Sequence, residues 1–331
     1  MFDDTIPPRE KQGEKRLIDE RFNWRSKKGR TMRTAYLYGL AGYEREANRA
    51  AACAAWLQFQ VADVDGKEVR DLAQGNFCQL RLCPMCTARR AKRASYLLSK
   101  VMDTAQSRNR GLQYVFLTLT MRNVDGPGLK QALTDLSKSW YRLQDQRRVE
   151  RAQKGWFRAI EITHNRRDGT FHPHIHAILA VEPLYFLRKG GLYLSHEDWV
   201  TRWKKALRVD YDPSVRIQAT GAKDKKRMER AAADEAAKYA TKDQEFLGRS
   251  VSEDEAVMIL TTYTEALRRK RLTAFGGILK DIARELKADD LEDGDLVHIE
   301  EDSVREDLAV LMETYGWNFG AKDYVLLSVT R

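Results

Sequence analysis

The chain has 331 residues, a hydrophobic content of 43% and a formal net charge of +10. It can fill one large domain or two ordinary ones, and no apolar run approaches the roughly 20 residues that a membrane-spanning helix needs. The N-terminal MFDDTIPPREKQGEKR lacks the apolar stretch of a secretory signal, and four cysteines do not suggest a disulfide scaffold at this size, so a cytoplasmic protein is expected. The charge is unevenly spread. Residues 281–308 hold twelve acidic and three basic residues, which leaves the rest of the chain near +19. A strongly basic body with an acidic segment points to a polyanionic partner, most often nucleic acid.

Residues 1–45 are polar and basic, becoming helical toward their end. The alternation in WLQFQVADV predicts a strand over 56–64. Residues 87–110 read as a basic helix, with seven Lys or Arg against one Asp. YVFLTLTMRNV predicts a strand over 114–124. GPG (126–128) breaks it, and apolar spacing continues as helix to about residue 153. WFRAIEITHN (156–165) and FHPHIHAILAV (171–181) read as a β-hairpin turning at RRDGT, with Pro173 suited to an edge or to the strand's start. A helix near 196–208, a strand near 214–219, an Ala/Lys/Glu-rich helix over 223–247 and further helix from about 252 to 287 follow. The expected class is α+β, an antiparallel sheet covered by helices. The expected segments are 1–50, a basic N-terminal stretch; 51–110, a cysteine-rich element and basic helix; 111–250, the core; and 251–331, a helical region carrying the acidic segment.

Three of the six histidines fall at alternate positions in GTFHPHIHAIL: His172, His174 and His176. Alternate residues of a strand share a face, so these imidazoles point one way and Ile175, Ala177 and Leu179 the other. On the neighbouring strand Glu161 and Thr163 share a face, opposite to Ile160 and Ile162. If the two faces match, a carboxylate sits beside two imidazoles. That donor set leaves positions open for phosphate and water and suits Mg²⁺ or Mn²⁺. His172, which precedes the proline, is the candidate for exclusion.

Glu235, Tyr239 and Lys242 lie at i, i+4 and i+7 of a predicted helix and form one stripe. A tyrosine oxygen can attack a phosphodiester and become covalently linked to DNA. Lys242 can contact the phosphate or favour the phenolate, and Glu235 can activate water as a general base. CQLRLCPMC supplies Cys78, Cys83 and Cys86. Cys53 is the only other cysteine, and a strand excursion over 54–77 would return it to the others. Four thiolates make a structural Zn²⁺ site. Arg89, Arg90, Lys92 and Arg93 just after it would offer phosphate contacts to DNA.

Together these stretches resemble the HUH endonucleases and, among them, the rolling-circle plasmid replication initiators (Rep). FLTLT (116–120) resembles the first motif of that family. FHPHIHAIL is similar to the second, with His174-Ile175-His176 as the HUH element. EAAKYATKD (235–243) looks like the third. The CP-x-C and the basic run behind it are similar to the family's N-terminal region. The resemblance implies a Rep-type (RRM-like) antiparallel sheet with central metal strands. It implies Glu161 as third metal ligand, Tyr239 as nucleophile and Glu235 as the base that terminates by hydrolysis. It further implies nicking at a plasmid double-strand origin to leave a 3′-hydroxyl primer and a 5′-phosphotyrosine, with host helicase and DNA polymerase as partners and a possible homodimer. The tyrosine follows the histidines, whereas relaxases usually place it before them. Two alternatives stay open: a relaxase or transposase acting on another DNA site, and a non-catalytic zinc-containing DNA-binding protein.

Overall fold

Leu57, Phe59 and Val61 are buried at alternate positions, so the strand they lie on presents one apolar edge to a core and the polar Gln58 and Gln60 to the other side. In the computed structural model, which describes residues 15–19, 22–64, 66–187, 191–220, 243–299 and 311–331, this is β1 (Trp56–Val64). The chain divides into two compact units. The first gathers Met1–Arg89, Phe246–Val257 and Asp295–Arg331; the second gathers Arg90–Glu245 and Met258–Gly294. The chain end returns to the sheet that begins at residue 56.

The first unit is built on an antiparallel sheet of order β2-β1-β8-β9. β2 is Lys67–Gly75, β8 Leu311–Asn318 and β9 Asp323–Thr330. Helices α1 (Trp24–Leu40) and α2 (Glu44–Ala52) belong to the same unit. Trp24 packs edge-on to Phe59, and Phe59 edge-on to Tyr315. The C-terminal region was expected to be helical, and β8 and β9 correct that. Their signal is masked by Glu313, which occupies an inward position two residues before Tyr315.

Glu313 is buried, and its carboxylate accepts hydrogen bonds from Lys15, from Arg70 Nε at 3.2 Å and from Tyr315 Oη at 2.7 Å. Burial works against its charge, but Lys15, Tyr315 and Arg70 outweigh it and hold the carboxyl below the usual range. A depressed folded value means the ionised carboxylate contributes stability above the unfolded pKa of about 4.3 and loses it as pH falls through the folded value. Glu313→Gln is expected to lower stability at neutral pH by about 3 kcal/mol. It should also flatten the loss of stability that the parent shows below about pH 4.5. Thermal unfolding followed by circular dichroism across that range checks both.

The second unit carries a five-stranded antiparallel sheet of order β6-β3-β5-β4-β7. Its strands are β3 (Gln113–Thr120), β4 (Gly155–Asn165), β5 (Thr170–Val181), β6 (Val215–Thr220) and β7 (Thr273–Gly277). Helix α3 (Pro84–Arg108) crosses the boundary between the units after Arg89. Its residues Ala94, Leu98, Val101, Met102 and Ala105 recur at helical spacing. They form one core cluster with Tyr114, Phe116, Phe157, Ile178 and Phe275 on one sheet face. The stripe Leu129, Leu133, Leu136, Trp140 of α4 (Leu129–Gln144) packs at the other face, with Trp140 edge-on to Trp156.

Several strand and helix bounds differ from the sequence reading. β3 ends at Thr120, because Val124 retains only an isolated bridge to Phe171. The predicted long helix stops at Gln144 and resumes as α5 (Arg147–Ala152). α6 (His196–Leu207) lies where expected, behind a capping box at Ser195 and Asp198. A short turn of helix, α7 (Gln244–Leu247), follows. The expected helix over 252–287 is instead α8 (Glu253–Leu267), then β7, then α9 (Ile278–Glu285). β7 escapes sequence reading because it is only TAFGG. Its glycines are required by close approach: a Cβ on Gly276 would stand 2.1 Å from Trp156, and one on Gly277, at φ +54°, 2.2 Å from the Lys154 carbonyl oxygen. Residues 221–242, which hold most of the helix predicted over 223–247 with Glu235, Tyr239 and Lys242, lie outside the described residues.

Candidate metal centre

The register of β3, β4 and β5 decides which side chains meet. Glu161 of β4 stands opposite His174, Thr163 opposite His172 and Ala159 opposite His176. On the other side of β5, Thr118 stands opposite His176 and Thr120 opposite His174. Opposed residues of antiparallel strands share a face, so the carboxylate and the imidazoles lie together as expected. Pro173 fits here because the Phe171 N–H and carbonyl both bond to Val124 on the β3 side. The Pro173 nitrogen faces that same side two residues on, where β3 pairing has ended after Thr120↔His174.

Glu161 is 4% exposed and His176 8%. One Glu161 oxygen lies 2.9 Å from His176 Nε2 and 3.3 Å from His174 Nε2. The other ring nitrogens are also engaged. His174 Nδ1 is 3.1 Å from the His172 carbonyl oxygen, and His176 Nδ1 is 3.4 Å from Thr118 Oγ1. Such outer contacts fix ring orientation and leave both Nε2 atoms for a shared ligand. Glu161, His174 and His176 offer donor atoms that all lie within 4.8 Å of one another. Two nitrogens and one carboxylate fit a divalent cation that keeps open positions. The His172 ring stacks beside His174 but lies outside this group, and burial, then the charge of His174, push its pKa down. The hydroxyls of Thr118 and Thr120 complete the row. Their signal was the T-x-T alternation in FLTLT.

The four cysteines also meet. The β1–β2 hairpin brings Cys53 back to Cys78, Cys83 and Cys86. Cys53 Sγ is 3.5 Å from Cys86 and 3.6 Å from Cys83, and Cys78 is 3.6 Å from Cys86. Tetrahedral zinc with bonds of about 2.3 Å would set its sulfurs about 3.8 Å apart, so the cluster fits that ion. Burial opposes a charge on Cys83, but hydrogen bonds from Cys53, Cys78 and Cys86 hold its thiol well below the ordinary value. Two residues of α1 that the sequence did not single out support the cluster. Thr31 Oγ1 lies 3.6 Å from Cys83 Sγ, and the fully buried Lys28 donates to the carbonyls of Ala51 and Cys53 at 2.7 and 2.6 Å.

The basic run after the cysteines, Arg89, Arg90, Lys92 and Arg93, is largely engaged within the protein. Arg89 and Arg90 are buried. Arg89 donates to the carbonyls of Leu296 and Val297, Arg90 to that of Glu292 and Arg93 to that of Asp290. These guanidiniums serve backbone carbonyls of the acidic stretch, whereas Lys92 is exposed. Tyr239, Glu235 and Lys242 lie outside the described residues. Another phenol near the histidine strand is Tyr263, packed edge-on to Phe171. Its hydroxyl donates to Glu245, and burial, then the charge of Glu245, push its pKa far up. No helix among the described residues is long and apolar enough to cross a membrane.

Residues 69–325 match the Rep_1 family, described as replication protein. The chain is 33% identical to a Protein rep of Bacillus amyloliquefaciens, over 95% of this chain and 96% of that one. It is 36% identical to a Protein rep of a Bacillus species, over 81% and 89%. It is 34% identical to a Protein rep of Streptococcus pneumoniae serotype 2, over 85% of each. No solved structure matches. With a family match over more than half its length and relatives aligned nearly end to end, the chain belongs to the Rep_1 family of replication proteins.

Proposed function

We propose that this replication protein initiates rolling-circle replication of a plasmid by nicking one strand at its double-strand origin. The observation that carries the reading is the meeting of His174 and His176 Nε2 at one oxygen of Glu161. These three would hold Mg²⁺ or Mn²⁺, which supplies Lewis acidity toward the scissile phosphate. The Tyr239 oxygen attacks phosphorus and the 3′-oxygen leaves. The products are a 5′-phosphotyrosine and a 3′-hydroxyl primer for a host polymerase, with a host helicase opening the duplex. Lys242 assists at the phosphate. After one round Glu235 takes a proton from water, which attacks the phosphotyrosine and releases the tyrosine. The cysteine cluster would hold Zn²⁺ as a structural ion.

The test is a nicking assay on supercoiled origin plasmid with Mn²⁺, read by gel and by mass spectrometry of the protein. The parent protein is expected to cut and to gain the mass of the 5′ fragment; Tyr239→Phe should do neither. Glu235→Ala should nick but retain the adduct. Adduct formation by the Phe variant would remove the assigned nucleophile. Absence of any cleavage by the parent would favour a binding protein with structural histidines.

A further inference from the structure

The row of residues that holds the metal donors continues past β3. Arg216 of β6 stands opposite Thr118, and Thr118 opposite His176, so the three side chains project from one face in a line. At a strand spacing of about 4.8 Å, the Arg216 backbone lies about 10 Å from that of His176, within reach of a long, charged side chain across a bound phosphate. β6 is the edge strand of the sheet. Arg216 is exposed, and no carboxylate among the described residues pairs with it.

A second arginine marks the same end of the β3–β6 pair. Arg122 lies two residues past β3 and is exposed. Its guanidinium sits 3.9 Å over the Tyr211 ring, and its backbone N–H donates to the Tyr211 hydroxyl at 3.0 Å. Tyr211, four residues before β6, thereby fixes where this cation stands. The nearest acidic residue in sequence to Tyr211 on the β6 side, Asp212, is taken by Lys204 at 2.8 Å. Two exposed guanidiniums that serve no carboxylate among the described residues, one of them stacked on an aromatic ring, flank the proposed phosphate site. Arginines of this kind supply the backbone contacts of single-strand binding. A nearly buried His176 at the floor of the face requires close approach of the phosphate, which a single strand permits and a stacked duplex does not.

We infer that Arg216 and Arg122 form the track by which single-stranded DNA crosses the β6 edge and lays its phosphates against the Glu161–His174–His176 centre. The inference rests on the proposed reading of that centre as the nicking site. Both arginines are positioning residues. The full-length protein is titrated with fluorescein-labelled oligothymidylate without added Mg²⁺ or Mn²⁺, followed by fluorescence anisotropy over a salt series. Each cation that neutralises a phosphate of a single strand adds roughly 0.7 to the slope of log affinity against log salt. Arg216→Ala and Arg122→Ala are each expected to lower the slope by that amount and the double variant by about 1.4. Arg151→Ala, exposed at the end of α5 beyond the far end of β4, should change nothing. In the Mn²⁺ assay the double variant should need more oligonucleotide but reach the parent's maximal rate of adduct formation. An unchanged slope in the double variant overturns the track, even if the parent forms the adduct. A lowered slope with no adduct from the parent upholds the track and removes the nicking reading.

Discussion

Cys83→Ser is expected to strip the zinc from the cysteine cluster and to unfold the β1–β2 hairpin with it. Cys83 is fully buried and touches both Cys53 Sγ and Thr31 Oγ1. The cluster joins three stretches: the end of α2, the segment after β2 and the first turn of α3. A structural zinc site of this type is worth about 10–16 kcal/mol, against a total stability of about 5–15 kcal/mol for an ordinary domain. No apolar repacking of one hairpin replaces that. The buried Lys28 sharpens the effect. Its ammonium feels the charge of Cys53, Cys83 and Cys78 and donates to the Ala51 and Cys53 carbonyls, so removal of the thiolates leaves a cation buried without a counter-charge. Elemental analysis should give one zinc per parent chain and none for the variant. Hydrogen exchange should then show β1 and β2 amides exchanging freely in the variant while those of β3, β4 and β5 stay protected. A zinc-free variant with full protection in β1 and β2 would show that the cluster is four buried thiols and not a metal site.

Much of the candidate site was legible because strand geometry is stiff. Three histidines with a period of two in FHPHIHAIL, and a glutamate on the neighbouring apolar-alternating run, each share a strand face, and they meet when the hairpin at RRDGT matches the two faces. Glu161 faces His174 because Thr170 joins the strand opposite Asn165; a turn of all five residues would have set Ile175 there, so the register itself was not legible. The cysteine cluster was legible for a similar reason: Cys53 had three possible partners and one intervening hairpin. The arginines were not, since charge alone does not say what a cation faces. Arg89 and Arg90 read as phosphate ligands until residues 290–297 supply carbonyls for their guanidiniums, a long-range pairing that no local pattern carries. β7 was hidden by its length and its two glycines, which are there so that Trp156 and the Lys154 carbonyl can approach. β8 and β9 were hidden because a charged Glu313 occupies an inward position, made tolerable by Lys15, Arg70 and Tyr315.

Glu161→Gln should reduce nicking by about a hundredfold or more, a larger drop than the tenfold to hundredfold typical of groups that only orient metal ligands. The amide keeps the volume of the carboxylate and can still bond to one imidazole, so the sheet is expected to fold with unchanged thermal stability within about 1 kcal/mol. What it cannot supply is the negative charge. With two neutral imidazoles and an amide, the site offers a divalent cation no charge neutralisation, and hard cations such as Mg²⁺ and Mn²⁺ depend on anionic oxygen. Titration calorimetry with Mn²⁺ should therefore show the binding isotherm vanish in Glu161→Gln. His172→Ala is the informative partner to this variant. The His172 imidazole lies outside the donor group, and what it gives His174 is a backbone carbonyl at 3.1 Å, which alanine retains. Its removal should cost less than about tenfold in rate and leave the Mn²⁺ isotherm in place. Equal drops in the two variants would make the centre a three-histidine site; equal indifference would leave Glu161 a structural acid that merely holds the His174 and His176 rings together.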